Sequence, residues 1–131
     1  MEPVTFRVIG DPVGAVRMTQ RGRFNDAAKR YHQFKEHVQW AAIQAGLKLP
    51  LYASEFAPVL ISSRCVFDKR VHPDPENVQK AICDALFYRA RGGDKHVGGR
   101  YEPPAYGALA YVEVTVEHIG QQARREDAVQ A

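Results

Sequence analysis

Val59-Leu60-Ile61-Ser62-Ser63-Arg64-Cys65-Val66-Phe67, then a short polar turn at Asp68-Lys69-Arg70, then Asp74-Pro75-Glu76-Asn77-Val78-Gln79-Lys80-Ala81-Ile82-Cys83-Asp84-Ala85-Leu86, reads as a strand leading into a helix. The first run is nearly continuously apolar, the pattern of a central strand buried on both faces. In the second, Val78, Ala81, Ile82, Ala85 and Leu86 recur at three- and four-residue steps and form one buried stripe. Asp74 suits the N-cap, and Pro75 suits the first helical position, where its missing N–H costs nothing.

Working outward, Val4, Phe6 and Val8 alternate with Thr5, Arg7 and Ile9 until Gly10-Asp11-Pro12, which predicts a first strand ending in a turn. Val13 to Phe24 has neither strand alternation nor a helical stripe, and carries Arg17, Arg21 and Arg23 among Gly14 and Gly22: a basic loop. A helix then starts at Asn25 or Asp26, with Tyr31, Phe34, Val38, Ala41, Ala42 and Ala45 on its apolar side, until Gly46 stops it. Beyond the Gly92-Gly93 break, Val97 starts a short strand. Ala110, Val112, Val114 and Val116, alternating with Tyr111, Glu113, Thr115 and Glu117, make a half-exposed last strand. The order is strand, helix, strand, helix and one or two strands. It predicts a single α/β (α+β) domain, 1–119, with a mixed sheet and two main helices, followed by a polar, frayed tail at 120–131.

With 131 residues and 45% hydrophobic content, the chain suits one compact core. No apolar run is long enough to span a bilayer and no signal segment opens the chain, so the expectation is a cytoplasmic protein without a membrane partner. Cys65 and Cys83 lie in apolar stretches without close-spaced partners, as buried thiols do. A net charge of +3 from 18 basic and 15 acidic residues permits a nucleic-acid partner if the positive charge is local.

Chemistry concentrates at the start of the second helix. Helical spacing puts Glu76, Lys80 and Asp84 on one polar face, with Asp74 at its end, and the Gly92-Gly93 pair lets Asp94 fold back toward them. Two carboxylates about 4 Å apart repel by roughly 4 kcal/mol at an effective dielectric near 20. A tight cluster therefore needs a cation or must hold a proton; a divalent metal is the economical answer, and Mg2+, with Mn2+ as a substitute, suits oxygen ligands while keeping waters for chemistry. The plainer alternative has Asp74 as a cap, Glu76 favouring the helix's positive end, and Glu76-Lys80-Asp84 as a surface ion-pair ladder.

The motif His72-Pro73-Asp74-Pro75-Glu76-Asn77, Lys80, Asp84-Ala85-Leu86 and Asp94 ahead of Val97 resembles the RusA family of Holliday-junction resolvases. Phe6-Arg7-Val8-Ile9-Gly10-Asp11-Pro12-Val13 with Arg17 and Arg23 is similar to that family's opening strand and basic loop, so the resemblance runs from about Phe6 to Val116. It implies a homodimeric, Mg2+-dependent endonuclease, bacterial or prophage-encoded, that resolves four-way DNA junctions by symmetric phosphodiester hydrolysis. Asp74, Glu76 and Asp94 would hold the metal and Lys80 would act in catalysis. Two positions depart from the family: Glu76 stands where aspartate is usual, and Gly93-Asp94 where an acidic pair is usual. The alternatives are a junction-binding protein that does not cleave, and a structural domain without nuclease activity.

Arg17, Arg21 and Arg23 on a glycine-containing loop form a candidate phosphate clamp, and Lys69, Arg70 and Lys95 extend the basic surface for branched DNA. His72 and His96 adjoin the acids and read as supporting or incidental groups, because oxygen-rich magnesium sites rarely use imidazole. Tyr31, Phe34 and Trp40 read as core or dimer packing, and Phe24 as the base-stacking candidate.

Overall fold

The structure, a computed structural model, describes residues 2–16, 26–87 and 96–118. Its elements are β1 (Val4–Ile9), α1 (Asp26–Gln44), β2 (Val59–Phe67), α2 (Pro75–Leu86), β3 (Val97–Tyr101), β4 (Ala105–Tyr106) and β5 (Tyr111–His118). The strands form one mixed sheet of order β1-β5-β2-β3, and β4 also pairs with β2. β5 runs antiparallel to both β1 and β2, whereas β3 and β4 run parallel to β2. The result is the expected α+β fold, with β2-α2-β3 as its strand-helix-strand unit. The basic-loop arginines, Asn25, the Gly92-Gly93 break and the 120–131 tail lie outside the described residues.

The core follows from register. Phe6 pairs with Val114 and Val8 with Val112, while Val112 and Val116 pair with Cys65 and Ile61, so one face of three strands is apolar except at the buried Ser63. Tyr31, Phe34, Val38 and Ala42 of α1 and Val78, Ala81, Ile82, Ala85 and Leu86 of α2 close over that face. The other face stays open, which corrects the expectation that β2 is buried on both sides: Arg64 is exposed, and Leu60 and Ser62 are only half-buried. The open face is held by polar cross-strand pairs instead. Arg7 Nε donates to Glu113 Oε2 at 3.1 Å, the Arg7 guanidinium lies 4.6 Å from the Tyr111 ring centre, and the Thr5 and Thr115 hydroxyls are 2.9 Å apart. Such pairs contribute about 0.2–1 kcal/mol each.

Helix α1 departs from the expected stripe at its end: Ala28 joins the core, Ala41 is half-buried and Ala45 exposed. Its stop is the expected one. Gly46 has φ +101°, Gly46 N–H donates to Ile43 O, and Leu47 N–H reaches back to Ala42 O, the paired bonds of a Schellman cap. Trp40 is 64% exposed, so it is not a core residue. Strand β4 had no sequence signal, because it is two residues long and follows Pro103-Pro104. It takes over the edge of β2 beyond the stretch occupied by β3: Val59 to Ser63 pair with Val97 to Tyr101, then Val66 and Phe67 pair with Ala105 and Tyr106.

One buried amide fixes α2 on the sheet. Gln79 is 6% exposed; its Nε2 donates to Ile61 O at 2.9 Å and its Oε1 accepts from Ser63 Oγ. A Cβ on Gly99, the β3 partner of Ile61, would come within 3.2 Å of that Nε2, so the glycine leaves room for the amide. Cys65 is buried in the same layer, and burial pushes its thiol up to about 12, so it is protonated at neutral pH; no disulfide joins it to Cys83. No helix among the described residues is long and apolar enough to cross a membrane.

Replacing Gln79 by leucine removes both amide bonds to β2 and leaves the buried Ser63 hydroxyl without its Gln79 acceptor. Urea unfolding is expected to show a loss of about 1–3 kcal/mol; an unchanged midpoint would mean that the amide is not engaged in solution.

Candidate metal and nucleic-acid site

The start of α2 is built by Asp74 and Pro75. Asp74 adopts extended backbone (φ −65°, ψ 132°), its Oδ1 accepts from Glu76 N–H at 3.0 Å, and its carbonyl accepts the first helical bond, from Val78 N–H, at 3.1 Å. Pro75 and Val78 turn inward, whereas Asp74, Glu76, Asn77, Lys80 and Asp84 are exposed. Asp74 is thus a true cap, as the plainer sequence alternative holds. Capping uses one carboxylate oxygen, and Oδ2 makes no hydrogen bond among the described residues.

The ion-pair ladder in that alternative is not formed. Among the described residues, the ion pair present is Arg7–Glu113, and none joins Glu76, Lys80 and Asp84. Asp84 belongs to the helix pair instead: its Oδ2 accepts from Tyr31 Oη at 2.5 Å, tying α1 to α2. Burial, reinforced by this bond and by the nearby negative charge, raises the Tyr31 phenol well above its ordinary value. Lys35 stands over the Tyr31 ring, 4.4 Å from its centre.

The chain leading into the basic loop docks on the first turn of α2. Ala15 N–H donates to Asn77 O at 3.1 Å, and a Cβ on Gly14 would lie 3.2 Å from Asn77 Cβ and 3.4 Å from Pro73 Cβ. Only a glycine allows this approach without displacing the helix start. Lys69 and Arg70 lie exposed on the turn between β2 and α2. A cleft of about 380 Å³ separates the loop from that turn, lined by Val13, Val16, Arg30, Lys69 and Val71 among others.

His72 is held on both ring nitrogens. Nδ1–H donates to Pro73 O at 2.8 Å, so the neutral ring accepts at Nε2 from Tyr106 Oη, also at 2.8 Å. The ring stacks on Phe67, with centres 3.8 Å apart and planes 7° from parallel. With both nitrogens engaged, His72 supports the Pro73-Asp74 backbone and has no lone pair left for a metal.

Of the residues singled out in the sequence, Asp74, Glu76 and Lys80 share the exposed start of α2, and Lys69 and Arg70 stand on the preceding turn. Asp94, Lys95, Arg17, Arg21, Arg23 and Phe24 lie outside the described residues. Among the described residues, no group of three or more His, Cys, Asp or Glu side chains is placed to hold a metal ion. Four contributors went unassigned in the sequence: Gly14, Ser63, Gln79 and Tyr106. Gln79 sits inside an apolar stripe, a signal for a buried, partnered amide, whereas nothing local marks Tyr106. No family model and no curated protein matches the chain.

Capping and charge separate cleanly at Asp74. Asparagine caps about as well as aspartate, so Asp74→Asn is expected to melt near the parent temperature, whereas Asp74→Ala loses about 1 kcal/mol. Equal losses in both variants, measured by thermal denaturation, would show that the carboxylate charge itself stabilises the fold.

Proposed function

We propose that this protein is a divalent-metal-dependent endonuclease that resolves four-way DNA junctions, acting in the cytoplasm as a homodimer, in keeping with its resemblance to the RusA family. The observation that carries the reading is the docking of the Gly14-Ala15 segment on Asn77, because it brings the chain into the arginine-bearing loop at the acidic start of α2. A nuclease needs that pairing, with cations to hold the phosphodiester backbone and carboxylates to hold a metal against it.

Two acids of the described residues support a metal. Asp74 and Glu76 are exposed oxygen donors two residues apart, without a cationic partner among the described residues, and the helix start favours their negative charge. They would hold the cation together with Asp94. Bound there, a divalent ion supplies charge neutralisation at the phosphate and a water of lowered pKa. Lys80, one helical turn beyond Glu76 and equally exposed, carries a positive charge for the phosphate as its charge grows in the transition state. Asn77, whose carbonyl accepts from Ala15 N–H, holds the segment that leads into the loop against the helix start. Glu76 reaches one methylene further than the family's usual aspartate, so its carboxylate would serve such an ion on a longer side chain.

The test is a labelled four-way junction incubated with the full chain, with and without magnesium. Paired, symmetry-related cuts that require the metal are expected. Asp94→Asn is expected to abolish them while junction binding stays equal or rises slightly, since a negative charge beside DNA has been removed. Junctions bound but uncut in magnesium and manganese would establish the binding-protein alternative, and no preference for junction over duplex would establish the structural one.

A further inference from the structure

At the end of the sheet where the parallel strands β2 and β4 both finish, the chain leaves an open hollow of about 670 Å³, bounded by Phe67, Asp68, Lys69, Arg70, Tyr106 and Gly107. Its size falls in the range of small-ligand sites. Gly107 N–H donates to Phe67 O at 3.0 Å, and a Cβ at Gly107 would come within 3.2 Å of Val66 Cγ1, so a glycine holds the outgoing turn close to β2.

The wall formed by Tyr106 is unusual for an exposed aromatic. The residue is 59% exposed, yet its hydroxyl is anchored on His72 Nε2; the His72 ring lies flat on Phe67, which is 3% exposed, and His72 Nδ1 is tied to Pro73 O. Each link removes a rotational freedom. The tyrosine is therefore a rigid aromatic face set on the core, and it need not be ordered when a planar ligand stacks on it. Lys69 and Arg70 flank it and make no ion pair among the described residues; Asp68 supplies one acid. An aromatic platform beside cations is the arrangement that receives an unpaired base with its phosphates, since every base offers a π-face and guanidinium and ammonium groups follow the backbone. The same anchor, Pro73, precedes Asp74, so the platform and the candidate metal site share one rigid segment.

We infer that Tyr106, flanked by Lys69 and Arg70, is a stacking platform for an unpaired DNA base next to the scissile strand. This inference rests on the nucleic-acid reading above and specifies which part of the substrate the site engages: a splayed base at a branch, not continuous duplex.

The experiment uses the full chain in chelator, so that no cleavage intervenes. Anisotropy is measured for a single-stranded oligonucleotide carrying one 2-aminopurine and for an intact duplex of equal length, with the parent, Tyr106→Leu and Tyr106→Phe. Stacking predicts quenching of the 2-aminopurine by the parent, and about a tenfold weaker single-strand affinity for Tyr106→Leu. Duplex affinity stays unchanged, and Tyr106→Phe, which keeps the ring, retains most of the single-strand affinity. Absence of quenching by the parent overturns the platform even if Tyr106→Leu fails to fold, as does an equal loss for both DNAs or no loss at all. A chain that binds single strands through Tyr106 but leaves junctions uncut keeps the platform and rejects the nuclease. One that cuts junctions with Tyr106→Leu unaltered does the reverse, and one that binds no DNA rejects both.

Discussion

A buried carboxamide has to satisfy both its donor and its acceptor, and Gln79 does so by reaching from α2 to the Ile61 carbonyl and the Ser63 hydroxyl of β2. An unmatched amide in the interior would cost about 1–3 kcal/mol, so the helix cannot roll or slide on the sheet without breaking these bonds. That constraint reinforces the orientation set by the apolar stripe of α2. With Gln79 against the strand, Val78, Ala81, Ile82 and Ala85 meet the core, and Glu76, Asn77, Lys80 and Asp84 are turned outward. Gly99 exists at the facing position of β3 because a side chain there would occupy the amide's space. Tyr31, donating to Asp84 from α1, holds the far end of the same helix.

In this orientation Asp74 caps the helix and is at the same time a candidate cation ligand. Its backbone and Oδ1 begin the helix, while Oδ2 makes no hydrogen bond among the described residues. A ligand held by its own capping bond loses less freedom on binding a cation than one on a mobile loop would. The Phe67-His72-Pro73 arrangement extends the rigidity backward along the chain, and the Gly14-Ala15 contact extends it to the loop that leads into the arginines. The candidate metal ligands Asp74 and Glu76, the docked Gly14-Ala15 segment and the aromatic face all meet one short segment, residues 72 to 77.

Much of this was legible in the sequence, because each readable feature has a local cause. Period-two alternation marked β1 and β5, proline after an N-cap aspartate marked the start of α2, and Gly46 marked the end of α1. The misses have non-local causes. Whether β2 is covered on one face or two depends on how many helical layers the chain supplies; Arg64 and Ser62 carried that information within an otherwise apolar run. β4 exists only because β3 leaves part of the β2 edge unpaired. The Glu76-Lys80-Asp84 spacing suited an ion-pair ladder, yet tertiary packing gave Asp84 to a tyrosine 53 residues away. Tyr106 is invisible as a site residue until the chain folds it against His72, 34 residues upstream.

The central claim is that the start of α2 is a cation site and not merely a capped helix end. Isothermal titration of manganese into the full chain, repeated on Glu76→Gln, tests this most directly. Glu76 takes no part in the capping bond through its side chain, so its amide variant leaves the helix start intact and removes one oxygen charge. The account predicts saturable binding to the parent that Glu76→Gln weakens at least tenfold, equivalent to about 1.4 kcal/mol. Equal heats from the two proteins, or none from either, would contradict it.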